Sequence, residues 1–200
     1  MTVARSTTFA LVLGSLAALC ACSRFESSRK SDSSTGNART AGQLPDTGAA
    51  DTAITVTSTG YGPLRIGMTV TAAANALSSP APSTVGLDTA CAYVHFDRAP
   101  AGMRIMVTGG TVARIEVDSS TIPTGRGVRV GDSEARVKTL YGSRVTVEPH
   151  KYLPNGHYLV VAPVPPTDSG FRLIFETDGN TVTSYRAGRL PQVQWVEGCA

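Results

Sequence analysis

The chain has 200 residues, of which 18 are Lys or Arg and 15 are Asp or Glu, giving a formal net charge of +3 at pH 7. Charges of both signs are interspersed, so no basic stripe or polybasic block indicates binding to nucleic acid or to an anionic membrane surface.

The first 21 residues have the pattern of a secretory signal peptide. Arg5 is their one charged residue, and an apolar run from 9 to 21 follows it and ends in small residues. This run is shorter than the about 20 residues that a membrane-spanning helix needs. We therefore expect residues 1–21 to be absent from the mature protein.

Cys20 and Cys22 close this run, and the residues before them differ. Bacterial lipoprotein signals carry an aliphatic residue three positions before the lipidated cysteine and a small residue directly before it. Cys22 has Leu19 and Ala21 at these positions, whereas Cys20 directly follows the bulky Leu19. The sequence predicts that Cys22 is lipidated and that Cys20 leaves with the signal. The alternative is an ordinary secreted protein.

The segment 22–53 holds the lipidated cysteine and a tether. Phe25 and Leu44 are its only large apolar residues, which are too few to offset the entropy of ordering. Ser23, in place of Asp, is typical of lipoproteins exported to the outer membrane. We therefore expect an outer-membrane anchor with the domain in the periplasm; in a host with one membrane, the anchor would lie on its outer face.

Two similar segments follow the tether and predict two tandem repeats, 54–122 and 123–200. In each repeat a glycine is followed two residues later by a hydroxyl residue, Thr69 or Ser133, that can cap a short helix. Each repeat can therefore contain a short capped helix.

An alternating strand hairpin closes each predicted repeat. The first, over 103–117, turns at 109–110, and the second, over 171–186, turns at 178–180. The second repeat has an additional hairpin over 144–161. Neither repeat could bury its sheet face alone, so we expect an α+β fold with one antiparallel sheet covered by short helices.

The phrase RIGMTVTAAANAL, residues 65–77, resembles the helix start of the small lipoprotein of the outer-membrane β-barrel assembly machinery. The tandem helix-then-sheet units with a cysteine near the end resemble the β-lactamase-inhibitor protein fold. The resemblance extends in outline over residues 60–199, although the second repeat departs from the motif at 131–133. Both families are non-catalytic and bind proteins, which is what the resemblance implies here. It places no partner-contacting residue.

Cys91 and Cys199 remain beyond the signal and the anchor. In an oxidising compartment such a pair predicts a disulfide, which would tie the first repeat to the end of the second. Alternation along a C-terminal strand would place Val193, Trp195 and Cys199 on one face, toward the core. The alternative is two free thiols.

His150 and His157 flank a predicted turn at 153–156. If Tyr152 pairs with His157, both histidines share a strand face, with Glu148 as the nearest third metal ligand. Such a pattern is more typical of a solvated polar face, so we expect no metal site.

The chain contains no nucleophile elbow, paired catalytic carboxylates, zinc-binding helix or phosphate-binding loop. We therefore expect neither enzymatic activity nor a cofactor. The expected function is binding of an envelope protein, as an assembly factor or inhibitor, and the alternative is a module for cell-wall glycan or a small ligand. Aromatic side chains often anchor interfaces, so five such residues could form part of the contact surface. Strand alternation should bury about half of them in the core. They are Tyr152, His157, Tyr158, Tyr185 and Trp195.

Overall fold

The computed structural model describes residues 54–163 and 168–200. The predicted signal peptide, the predicted tether and Cys22, the predicted lipidation site, lie outside the described residues. Within the described residues, no helix is both long and apolar enough to cross a membrane.

The described residues form short strands and two α-helices, joined by loops. In chain order the strands are β1 (Val56–Thr57), β2 (Gly60–Tyr61), β3 (Leu64–Arg65), β4 (Ala92–Val94), β5 (Met103–Thr108), β6 (Thr111–Val117), β7 (Val145–Pro149), β8 (His157–Val161), β9 (Phe171–Thr177) and β10 (Val182–Arg189). The helices are α1 (Val70–Ala76) and α2 (Glu134–Tyr141).

Seven strands form one antiparallel sheet in the order β4-β5-β6-β10-β9-β8-β7. The pairing of β6 with β10, which sets Ile115 opposite Ala187, joins strands from the two halves of the domain. Strands β1 to β3 form a small separate sheet, which the sequence did not predict. The α+β class is confirmed, with two antiparallel sheets in place of one.

Both helices begin at the predicted hydroxyl residues. The side chains of Thr69 and Ser133 each accept a backbone N–H bond of 3.2 Å from the third residue beyond. Each cap residue also forms an isolated antiparallel bridge with the strand hairpin of its own half, Thr69 with Thr111 and Ser133 with Thr181. The start of each helix is thereby fixed to the end of a hairpin.

One face of the large sheet packs under the helices and forms the main hydrophobic core. Tyr185, which the sequence offered as a contact residue, is 1 % exposed in this core. Its hydroxyl donates to the Ile122 carbonyl oxygen at 2.9 Å, so the buried polar group is satisfied. Other large side chains of this core are Phe96, Ile105, Ile115, Leu159 and Phe175.

Residues 190–199, here called the strap, cross the opposite face of the sheet. They do not form the predicted C-terminal strand, because Pro191 cannot donate a ladder hydrogen bond and a 3₁₀ turn over Gln192–Gln194 follows it. Val193 is fully buried, as part of a second apolar cluster. The strand alternation inferred for this segment, which put Cys199 on the core side, is therefore wrong. The cluster also contains Tyr158, Val160 and Ile174.

Candidate functional site: a charged cleft and an aromatic rim at the strap

A cleft of about 380 Å³ lies between the strap and the sheet. Side chains of β6 and β10 line it, including Arg114, Glu116 and Arg186, and the strap contributes Glu197 and Gly198. These strand residues alternate with the core residues, so they point to the face that the helices leave uncovered. The cleft is therefore lined mainly by charged groups.

Glu116 is the centre of the buried charges on β6. Its side chain is 9 % exposed, and one of its oxygens accepts the Arg114 Nε–H at 2.8 Å. The other oxygen lies 2.5 Å from a nitrogen of Arg104, which is directly opposite on β5. The Tyr93 hydroxyl also donates to Glu116. Burial, followed by the hydrogen bond and the charge of Glu116, raises the pKa of Tyr93 and keeps its hydroxyl protonated.

A second group of charges lies around Arg186 of β10. Its guanidinium forms an ion pair with Glu176 of β9 and lies 5.3 Å from the ring centroid of Tyr158. The ring of His150 stacks on that of Tyr158 with a centroid distance of 4.5 Å. His150 also accepts backbone N–H bonds at its Nδ1 atom, from Tyr152 at 3.1 Å among others. This histidine is therefore part of a packed turn.

Arg114 and Arg186 also hold the strap by its backbone. Arg114 Nη1 donates to the Gln192 carbonyl oxygen at 3.1 Å and to that of Trp195. Arg186 Nε donates to the Val193 carbonyl oxygen at 2.6 Å. Such charge-assisted bonds are stronger than neutral ones. These two arginines therefore serve mainly to attach the strap to the sheet.

The predicted disulfide between Cys91 and Cys199 is present, with a Cα–Cα distance of 5.4 Å and a sequence separation of 108 residues. The distance lies in the ordinary range for such bonds. The bridge ties the end of the strap to the residue before β4, at the far edge of the sheet. The strap is thus held at its end by a covalent bond and along its length by arginines.

Three exposed side chains, one of the strap and two of the connection between β7 and β8, are here called the rim: Trp195, Tyr152 and Leu153, with 37 %, 56 % and 44 % of their surface exposed. The Tyr152 hydroxyl donates to Glu197 of the strap, and Lys151 Nζ lies 2.6 Å from the same carboxylate. The β7–β8 connection is therefore attached to the strap. Of the predicted contact residues, Tyr152 and Trp195 are exposed, whereas Tyr158 is 6 % exposed.

The register predicted for the two histidines is wrong. Pro149, and not Tyr152, lies opposite His157, because the connection between β7 and β8 runs over 150–156 and is longer than the predicted turn. His157 Nδ1 lies 2.6 Å from a carboxylate oxygen of Glu134 on α2. Among the described residues, no group of His, Cys, Asp and Glu side chains is arranged to hold a metal ion.

Glu134 is a buried charge that the sequence did not point out. It is 6 % exposed, and its carboxylate also accepts bonds from Thr177 and, at 2.8 Å, from Lys138. Burial acts to raise the pKa of Glu134, but the hydrogen bonds from Lys138, Thr177 and His157 outweigh it and lower the pKa. The spacing of Glu134 and Lys138 indicates a helical ion pair. No local signal indicates the contacts with β8 and β9.

The fold and the site define a small α+β domain with a strapped antiparallel sheet. No protein-family model and no curated protein matches the chain. Among solved structures the chain is similar to the uncharacterized protein YfeY from Escherichia coli, with 18 % identity and a TM-score of 0.42. The similarity covers 68 % of this chain and 99 % of that one. It assigns no family and no function.

Proposed function

We propose that this protein is a non-catalytic envelope lipoprotein, anchored by the lipid on Cys22, whose domain binds another protein through the rim. The rim is the observation that carries the proposal. It presents exposed aromatic side chains on a support that a disulfide and buried ion pairs hold in place. The tether would let this domain reach a partner in the periplasm, with the anchor in the outer membrane.

The chemistry of the rim fits a protein partner. Trp and Tyr are enriched among the side chains that dominate binding energies, because they bury much area for few rotatable bonds. The bonds of Tyr152 and Lys151 to Glu197 fix the rim before a partner arrives. A preorganised surface loses little entropy on binding, and this raises affinity.

We further propose that the domain consists of two repeats, 54–122 and 123–200. The matching bridges from the helix caps to the hairpins support this division. The resemblance of the sequence to the β-lactamase-inhibitor protein fold implies the same arrangement and a role in binding proteins, as an assembly factor or an inhibitor. On this proposal the domain needs no cofactor.

The test is crosslinking in cells with the full-length, lipidated protein. Leu153→Ala combined with Trp195→Ala should reduce capture of one dominant partner at least tenfold, since both side chains are exposed and their loss leaves the core intact. Val85→Ala is the matched control, because Val85 is 92 % exposed on a loop before β4. A Cys22→Ala variant should leave the membrane fraction. Unchanged envelope complexes in the rim variant would contradict the proposal.

The charged cleft favours a second candidate function, binding of a small polar ligand or of cell-wall glycan. Its guanidinium, carboxylate and hydroxyl groups are suited to sugar hydroxyls, and Trp195, which directly precedes the lining residue Val196 in the strap, offers an exposed aromatic face. Sedimentation with purified peptidoglycan separates the two functions. Binding that Trp195→Ala abolishes, without any protein partner, would favour the glycan.

A further inference from the structure

A second pocket, of about 150 Å³, lies where α2 ends on the helix-covered side of the sheet. Two arginines line it, Arg126 and Arg144. Their guanidinium carbons lie 5.8 Å and 5.3 Å from the ring centroid of Tyr141, the last residue of α2. No acidic side chain is among the residues that line this pocket.

These two arginines differ from those under the strap. Arg114 and Arg186 each meet a carboxylate. In the described part of the chain, no carboxylate forms an ion pair with Arg126 or Arg144. The pocket therefore concentrates positive charge that no carboxylate among the described residues neutralises.

A purely structural role explains the position of Arg126 but not that of Arg144. Arg126 Nη1 donates to the Leu140 carbonyl oxygen at 3.0 Å, and a cation at this place also complements the helix dipole. Arg144 is half-buried, and its Nη2 nitrogen is shielded from solvent without a hydrogen-bond partner among the described residues. Buried guanidinium N–H groups are normally satisfied. Arg144 therefore lacks an acceptor that a ligand can supply.

The rest of the lining indicates the class of ligand. Val161 and Leu173, which pair across β8 and β9, give the pocket an apolar wall. The planar fork of arginine matches a carboxylate with parallel hydrogen bonds. A volume of about 150 Å³ is smaller than pockets for drug-sized molecules, which begin at about 300 Å³. We propose that this pocket binds a carboxylate on a short aliphatic group, as in a small carboxylic acid or at the C-terminus of a peptide.

The proposal is tested by NMR titration of the full chain, purified in detergent, with four probes. N-acetylalanine should shift the resonances of Tyr141 and of the Arg144 side chain, and N-acetylalaninamide should bind at least tenfold more weakly. If N-acetyl-dialanine binds more tightly than propionate, the ligand is a peptide C-terminus. If the two probes bind equally tightly, the ligand is a small carboxylic acid. Equal affinity for N-acetylalanine and its amide, or no shift at the pocket, would overturn the proposal.

Variants separate the pocket from general charge effects. Arg144→Met keeps the aliphatic stem and should weaken binding of N-acetylalanine at least tenfold. Arg136→Met is the matched control, since Arg136 pairs with Asp132 and does not line the pocket, and it should change nothing. If Arg144→Met does not fold, Arg144→Lys keeps the charge but loses the fork and should weaken binding several-fold. Unchanged affinity in a folded Arg144 variant would overturn the proposal, whatever the rim binds.

Discussion

The two faces of the seven-stranded sheet are covered in different ways. The helix-covered face buries apolar side chains such as Ile115 and Phe175. The strap-covered face buries charged ones, Arg114, Glu116 and Arg186, beside a small apolar cluster. The first cover is therefore held mainly by non-directional hydrophobic burial, and the second mainly by a few directed bonds.

This difference predicts how each cover fails. Apolar cores lose stability in proportion to the volume removed, and they relax around small changes. A buried charge network responds asymmetrically, because removal of one partner leaves the other charge buried and uncompensated. We therefore expect the strap to depend strongly on single groups. Trp195 lies in the strap and is the one tryptophan of the chain, so its fluorescence reports on the strap.

The largest effect is expected from loss of the disulfide. Replacement of both Cys91 and Cys199 by Ser should lower the free energy of unfolding by about 4–5 kcal/mol, because the bond closes a loop of about 100 residues in the unfolded chain. In urea, the Trp195 fluorescence of this variant should change before the far-ultraviolet circular dichroism of the sheet.

In the disulfide-bonded protein both signals should change together. A loss below about 2 kcal/mol, or coincident transitions in the double variant, would show that the other contacts suffice to hold the strap.

A smaller effect is expected from Glu116→Ala, about 3–5 kcal/mol, because Arg114 stays buried without its carboxylate. The matched control is Glu148→Ala, since Glu148 is exposed on the edge strand β7, and it should change stability by less than about 0.5 kcal/mol. Both are measured by urea unfolding. Equal effects of the two substitutions would mean that water compensates the charge of Arg114, and the comparison of the two faces would fail.

The sequence predicts the helix-covered face better than the strap-covered one. Alternation, turn glycines and capping hydroxyls are local signals, and they indicate the hairpins, Thr69 and Ser133. The disulfide between Cys91 and Cys199 is predicted from the oxidising compartment and from the even number of cysteines that remain beyond Cys22. The strap is not predicted, because the sequence pattern indicates a strand that continues to Cys199. In the structure this strand ends before Pro191.

The charged cleft depends on a register that the sequence does not show. A tight turn at 109–110 sets Thr108 opposite Thr111, and a regular ladder would then place Arg104 opposite Ile115. A shift between Met106 and Val107 moves the register by one residue, so that Arg104 lies opposite Glu116. Tertiary packing, and not local sequence, therefore creates this ion pair.

The smallest effect concerns Glu134, the buried charge of the helix-covered side. Its hydrogen bonds lower its pKa in the folded protein, so ionised Glu134 stabilises the fold above its unfolded pKa of about 4.3. This contribution is lost as the pH falls through the lower, folded value. Glu134→Gln should therefore cost about 1–2 kcal/mol at pH 7 and progressively less below pH 4. Urea unfolding across this pH range tests it.

Glu148→Gln is the control for this pH dependence, because its exposed carboxylate has no such bonds to lose in the described residues, and its profile should stay parallel to that of the unmodified protein. If the Glu134→Gln profile were parallel as well, the bonds from Lys138, Thr177 and His157 would contribute nothing that depends on the charge. The buried carboxylate of the helix-covered side would then add nothing to stability through its charge. In the opposite case both faces of the sheet contain a buried carboxylate that contributes to stability, and they differ in the number of charges, not in kind.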